Sequence, residues 1–394
     1  MEPLRMNRNV WLLFTCQALV NAAGISQVAM SALIGYSLSP DKTLATVPYA
    51  LQMLGTMAAS IPAGIIFARL GRRVGFMVGA TAMLLGTLTY FVGVWRGDFL
   101  LYCLGSLPMG VGFGIGQHYR FAASEVARPQ ARARAIALVM AGGVVSAILG
   151  PELVKHTKEL AGPVLFLGTY ACLALLPLVS LVLIAFIELP PAPPRVASPT
   201  PLRVLMGRPA FVTAVIAGLV GYGTMNLIMA ATPLQMMLCG FGVDQSTDVI
   251  RAHAIAMFAP GFVTGRLIQR FGVHRVIVTG GLLCLGCAAF SLAEPTQVHF
   301  MLALALLGLG WNFMFVGATA LLATAHDAGE RVRAQAANDF IVFTTVTITA
   351  FTSGALQNHS GWVVVNASVV PPVLVAMGLV LWHRATHARR AALA

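Results

Sequence analysis

The chain has 394 residues, of which 58% are hydrophobic and 10% charged, with a net charge of +12 and a mean hydropathy of +0.82. A soluble fold of this length needs far more charged surface, so a water-soluble enzyme or binding module is excluded. The positive charge does not signal nucleic acid either, because the arginines fall one to three per short junction and build no continuous basic face; anionic membrane lipid is the simpler partner.

Twelve apolar stretches can be drawn, at roughly residues 9 to 36, 45 to 68, 74 to 95, 99 to 124, 133 to 153, 163 to 187, 210 to 237, 249 to 269, 276 to 293, 298 to 325, 335 to 357 and 361 to 383. Each can cross ~30 Å of hydrocarbon, since about 20 helical residues at 1.5 Å rise suffice. The first is long enough to span and shows no small-residue cleavage site, which predicts a retained helix rather than a cleaved signal. Of the 25 lysines and arginines, 19 sit at every second junction, beginning with Arg5 and Arg8. The alternate junctions hold only Lys42, Arg96, Lys155, Lys158 and Arg251, and Arg120 lies within a span. This positive-inside pattern predicts a multi-pass protein of the cytoplasmic (inner) membrane with both termini in the cytoplasm.

In chain order, span 1 carries Gln17 and Asn21, four apart and so on one helix face. Gly64, Arg69, Gly71, Arg72 and Arg73 mark the turn between spans 2 and 3. Span 4 contains a glycine series, Gly110 to Gly116, with no preceding strand, so close helix packing is favoured over a nucleotide loop. Arg120 follows, eight residues before Arg128 and therefore ~12 Å inside the span end. It reads as an anchor for an anionic or carbonyl-bearing solute, as half of a gate ion pair with Glu125 nearby, or as an arginine reaching back to the surface. The run Leu189 to Pro194, rich in proline, cannot be membrane helix and reads as a linker.

Beyond it the punctuation recurs. Gly272-Val273-His274-Arg275 stands 201 residues after Gly71, and Arg331-Val332-Arg333-Ala334 stands 199 after the first Arg-Ala-Arg-Ala run at 132 to 135. The expected organisation is an all-α polytopic membrane protein with 12 transmembrane helices in two pseudo-symmetric six-helix halves, residues 1–188 and 209–394, joined by a cytoplasmic linker at 189–208. His253 reads as interfacial, and the Cys284 and Cys287 pair as buried thiols rather than a metal or redox site. Asp339 lies six residues beyond Arg333, at ~9 Å depth, where a lone carboxylate needs a cation or a proton.

The six-plus-six layout and the segment from Gly64 to Arg73 resemble the major facilitator superfamily of secondary transporters. The resemblance implies a tight inner turn whose basic residues latch the closed gate, giving gating roles to Gly64, Gly71, Arg72 and Arg73. Two departures stand out: Ala68 replaces the usual acidic residue, and the arginine common midway along helix 4 is absent around Ser106. Asp339 on helix 11 would then replace the missing acid and pair with Arg69, Arg72 or Arg120, or else serve proton coupling. Gly142-Gly143 and Gly150-Pro151 resemble a helix 5 motif frequent in exporters. The segments Asp41 to Thr46 and Gln117 to Ala123 resemble a bacterial subset that includes a riboflavin transporter.

The family's architecture places helices 1, 4, 7 and 10 around a central cavity, which nominates Gln17, Asn21, Gln117, His118, Asn226 and Asn312, with Tyr119, Tyr222 and Trp311 as rings beside them. Amides with aromatic neighbours suit an organic solute with hydrogen-bonding edges and a flat body, although each amide alone also serves as glue between helices. His118 is a further candidate proton relay. The expected function is a secondary active transporter moving a small organic solute by alternating access, driven by an ion gradient such as protons or by the solute itself. Riboflavin is the narrower alternative, and a transport-dead sensor or scaffold on the same fold is the other. No Walker sequence or nucleophile triad appears, so no enzyme activity, cofactor or metal is expected, and no oligomer is required.

Overall fold

The computed structural model describes residues 7–128, 131–189, 200–293, 295–327 and 330–393, which fold into helices joined by short turns. In order these are α1 (Arg8–Leu38), α2 (Val47–Arg96), α3 (Phe99–Gly116), α4 (Tyr119–Val126), α5 (Arg132–Thr157), α6 (Leu167–Leu173), α7 (Leu175–Ala185), α8 (Leu202–Met206), α9 (Pro209–Leu238), α10 (Val243–Phe258), α11 (Gly261–Phe271), α12 (Val273–Phe290), α13 (Gln297–Leu322), α14 (Arg331–Ser368) and α15 (Val370–Leu393).

Nine segments among the described residues are long and apolar enough to cross a membrane, and one of them, Arg333–Thr386, contains two spans divided at Gly361. Two more complete the twelve: the first part of α2, residues 47–70, and the α10 to α11 pair, residues 243–271, which carries Asp244, Asp248, Arg251, Arg266 and Arg270. The outer faces of the spans carry exposed apolar residues, as in Leu100, Leu104 and Val375, each at least 61% exposed. Lipid is the solvent for such a surface.

Four predicted spans are not continuous helices. Span 4 breaks at Gln117–His118 between α3 and α4, span 12 at Val369 between α14 and α15, span 6 at Ala174 between α6 and α7, and span 8 at Ala259–Pro260 between α10 and α11. Proline explains the last two, because Pro177 and Pro260 donate no N–H and their rings press on the carbonyls of Leu173 and Ala256. In α10 to α11 the break is braced by Asn312, which donates to the Met257 carbonyl at 2.8 Å.

The internal repeat has a backbone signature. Gly71 has φ 82° and ψ 161°, and Gly272, 201 residues later, has φ 85° and ψ 148°. Only glycine adopts this conformation without strain, so both halves make the same sharp turn between their second and third spans. Each half has a main core of its own, and a smaller cluster of Tyr49, Met53, Ala230 and Val346 joins them. One main core contains Leu13, Phe76, Tyr119 and Ile184, the other Phe211, Ile277, Met314 and Val373. Residues 190–199 of the predicted linker lie outside the described residues, and its remainder contains the short helix α8.

An ion pair fixes the start of the second half. Arg208 at the head of α9 grips Glu330 ahead of α14 with two hydrogen bonds, at 2.7 and 2.9 Å, and also donates to the Ala325 carbonyl at 2.8 Å. That guanidinium first, then Thr200 and the Asp327 amide, holds the Glu330 carboxyl at about 2, below its ordinary 4.5. Because the folded value is depressed, the stabilisation is complete above about pH 4.5 and is lost as pH falls towards 2. Melting temperature recorded against pH checks this: Glu330→Gln is expected to flatten the loss of stability that the native protein shows between pH 4.5 and 2.

Candidate functional site

The two halves meet closely at the end that bears Lys155 and Lys158. There α5 of the first half faces α10 of the second across three ion pairs: Lys155 to Asp248 at 3.2 Å, Lys158 to Asp244 at 2.6 Å, and Arg251 to Glu152. On the other side of the seam Thr46 donates to the Ala350 carbonyl at 2.9 Å and accepts the Gly354 amide at 3.0 Å. A Cβ on Gly354 would lie 2.6 Å from the Thr46 hydroxyl, so α14 approaches this closely only because the residue is glycine. Below this seal Tyr49 donates to Asn226 at 2.7 Å, again joining the halves.

Beneath lies a cavity of about 80 Å³ lined from both halves, by α1, α2 and α3 and by α9 and α10. Its polar lining is Asn21, Tyr49, Gln52, Tyr222 and His253, set among Met53, Met225, Met229, Met257, Phe113 and Phe258. Sequence reasoning reached Asn21 and Tyr222 but missed Gln52 and His253. His253 corrects the interfacial reading outright: it is fully buried, and its Nδ1 donates to the Leu304 carbonyl at 2.8 Å. The cavity walls come from spans 2 and 8 as well as 1, 4 and 7, whereas span 10 supplies none of these lining residues.

The predicted amides divide by how fully they are committed. Gln17 donates to Asn21 at 3.0 Å and Gln117 donates to the same oxygen at 3.3 Å, so the Asn21 carbonyl is engaged while its amine side borders the cavity. Asn226 accepts from Tyr49 and donates to the Val346 carbonyl at 3.0 Å and the Thr349 hydroxyl at 3.1 Å. Asn312 accepts from Thr264 at 2.6 Å besides donating to Met257. Both are spent on holding helices together, leaving little for a solute. Tyr119 is buried in the first core, its ring 4.5 Å from that of Phe76, away from the cavity. His118 caps the break before α4, edge-on to Phe67 at 5.2 Å.

An aromatic cluster borders the cavity on the second-half side. Tyr222 meets Trp311 at 5.5 Å, Phe315 at 5.3 Å and Phe343 at 5.9 Å, and Trp311 stacks on Phe315 at 5.2 Å. The Trp311 indole N–H is buried with no hydrogen-bond partner. Large rigid rings of this kind present flat apolar area at little entropic cost.

At the opposite, arginine-rich end the ion pairs among the described residues stay within one half. Arg72 pairs with Glu125 at 2.5 Å, entirely within the first half, and its guanidinium lies over the Phe67 ring. Arg73 donates to the Ala185 carbonyl and Arg69 is exposed. Gly64 has open space around its absent side chain. The predicted pairing of Asp339 with Arg69, Arg72 or Arg120 is not formed in this state: Asp339 accepts only from Asn338, at 3.1 Å. The acid beside Arg72 in this structure is Glu125 rather than Asp339. Arg120 lies over the Phe121 ring at 4.8 Å, has no carboxylate within 4 Å among the described residues, and its Nε is buried without a partner. Asp339 and Tyr222 are within its electrostatic reach.

Comparison with known proteins agrees with this arrangement. The model of the Major Facilitator Superfamily matches residues 10–247 and 214–393. The riboflavin transporter RfnT of Brucella anthropi is 38% identical over 379 residues, 95% of each chain, and an uncharacterized MFS-type transporter of Bacillus subtilis, YddS, is 26% identical over 90% of this chain and 86% of its own. Among solved structures, the xylose transporter XylE of E. coli in a partially occluded inward open conformation superposes with a TM-score of 0.72 at 11% identity, covering 95% of this chain and 97% of that one. The human organic anion transporter MFSD10 gives 0.70 at 12%, covering 95% and 99%. The low identities of the last two speak to fold alone, while the family model and the 38% relative speak to descent. The chain belongs to the Major Facilitator Superfamily, whose members are transporters rather than enzymes.

Proposed function

We propose that this transporter moves riboflavin, or a closely related flat heterocycle, across the cytoplasmic membrane by alternating access, with both termini in the cytoplasm. The observation that carries the mechanism is the asymmetry of the two ends. Three ion pairs bind the halves at the lysine end, while Arg120 and Asp339 remain apart at the arginine end. The arginine excess supports reading the end without ion pairs between the halves as cytoplasmic, and the conformation as inward-facing. Rocking of the halves would break the outer ion pairs and bring Arg120 and Asp339 together, exposing the same cavity to the other side.

The solute reading is supported by the aromatic cluster of Tyr222, Trp311 and Phe315 and by the relative named as a riboflavin transporter. Of the predicted residues, Asn21 and Tyr222 line the cavity, while Gln17 Oε1, Trp311 Nε1 and Arg120 Nε are buried without a hydrogen-bond partner among the described residues. Protons are the proposed coupling ion, with Asp339 as the carrier or as the gate partner of Arg120. The unit of transport is one chain, and its apolar walls contact lipid.

Counterflow tests this reading without assuming the coupling ion. Proteoliposomes loaded with unlabelled riboflavin are expected to accumulate labelled riboflavin transiently from outside, at a rate several-fold above protein-free liposomes. No counterflow with riboflavin, but counterflow with another organic solute, would keep the transporter and discard the substrate.

A further inference from the structure

The cavity holds two polar groups that the transport reading has not used. Gln52 on α2 is fully buried, and both its Oε1 and its Nε2 lack any hydrogen-bond partner among the described residues. His253 on α10 is equally buried, and because Nδ1 donates to the Leu304 carbonyl, its Nε2 is a bare acceptor, also unpartnered. Both residues line the same cavity, one from each half. Leaving three such atoms unsatisfied in apolar surroundings is costly, and buried polar side chains in a membrane protein nearly always find partners. The nearby glutamine Gln27 shows the usual outcome: it donates to Tyr102 at 3.1 Å and accepts from Tyr170 at 2.8 Å.

We propose that Gln52 and His253 are the specificity-determining pair for a planar heterocycle that carries a lactam or imide edge, a ring N–H adjoining a C=O. The proposal deepens the transport reading and rests on it. A primary amide is the complement of such an edge: Gln52 Oε1 accepts the ring N–H while its Nε2 donates to the adjoining carbonyl, a cyclic pair of two hydrogen bonds. His253 Nε2 then accepts one further N–H or O–H from the same solute, across the seam between the halves. A solute held this way ties α2 to α10, so its arrival and departure bear directly on the closed state of the outer end. The remaining lining suits the ring body. Met53, Met225, Met229 and Met257 are unbranched and adapt to a flat face, and Phe113 and Phe258 flank it. At about 80 Å³ the cavity is well below the roughly 300–1,000 Å³ of sites for drug-sized ligands, so the ring enters as the halves part and the walls widen.

Thermal stabilisation and fluorescence titration of the purified full-length protein test this with four probes: riboflavin, lumiflavin, 3-methyllumiflavin and xanthine. Methylation at N3 removes the ring N–H and leaves the flat body, and should weaken binding about 10–100-fold relative to lumiflavin. Gln52→Leu keeps the shape of the side chain and removes both orphaned atoms. Its melting temperature without solute should therefore equal or exceed that of the native protein, while its response to lumiflavin falls by a similar factor. A merely structural glutamine would instead lower the melting temperature and spare the probe response. Silence from the flavins with Gln52-dependent binding of xanthine would retain the edge-reading pair and discard riboflavin. Equal affinity for lumiflavin and 3-methyllumiflavin, or unchanged binding in Gln52→Leu, would overturn the pair while leaving riboflavin in place. Silence from all four probes would overturn the inference, the orphaned atoms then serving water alone.

Discussion

Asp339→Asn is expected to cut solute accumulation by about 5–150-fold, the span of typical coupling free energies between sites. Among the described residues Asp339 has Asn338 as its hydrogen-bond partner, and Arg120 has an unpartnered Nε and no carboxylate within 4 Å. Both already lie largely out of water and within electrostatic reach of each other, and an unpaired ion in apolar surroundings costs several kcal/mol. Pairing the two offsets most of that cost, so removing either one strands the other and disfavours the closed state. Arg120→Met should have the same effect, and the double variant should be milder than the sum of the two. Counterflow separates the two roles of Asp339. As gate partner its loss depresses both exchange and accumulation; as proton carrier its loss abolishes pH-driven accumulation and spares exchange. Uptake and pH response both unchanged in Asp339→Asn would remove the residue from either role.

Reversing charge at the opposite end, in Lys158→Glu with Arg251→Glu, is expected to open the lysine side. The native pairs are partly exposed, between 13% and 48% for the side chains of Lys158, Asp244, Arg251 and Glu152, so solvent screening keeps each at about 0.2–1 kcal/mol. Reversal removes two attractions between the halves and adds repulsion against Asp244 and Glu152, a combined shift of about 1–2 kcal/mol and so roughly 5–30-fold in the population of the outward-open state. The readout is maleimide labelling at Met53→Cys, in a background lacking the six native cysteines, from the lysine side. The increase should shrink as salt rises, since charges are screened over about 10 Å at 0.1 M. Labelling that does not change with the reversal would show that the ion pairs do not hold this end shut.

What the sequence disclosed and what it withheld follow from the range of the physics involved. Gly71 and Gly272 were legible because a sharp turn is a local demand on one residue, and the structure gives both the same positive φ. The alternation of arginines was legible because membrane charge asymmetry is summed over whole loops. Asn226 and Asn312 were nominated from depth alone, but depth does not say which neighbour consumes an amide, and Tyr49, Val346, Thr349, Thr264 and Met257 lie far away in the chain. Tyr119 failed for a related reason, since its ring turns into the core of the first half. Gln52 was passed over because spans 1, 4, 7 and 10 were the ones nominated around the cavity, and its only signal was polarity within the apolar run from Val47 to Ala59. Glu125 was singled out by its spacing from Arg120, yet its partner Arg72 comes from another helix.

Alternating access itself is tested most directly by distances at both ends of one molecule. Spin labels at Glu159 and Leu238 report the lysine end, and labels at Leu70 and Phe271 report the arginine end, all four positions being exposed. With saturating riboflavin and a pH gradient imposed across the bilayer, the first distance should lengthen in a fraction of molecules while the second shortens in the same fraction. Two distances that stay fixed while riboflavin is transported, or that lengthen together, would contradict a rocking of two halves about the cavity between them.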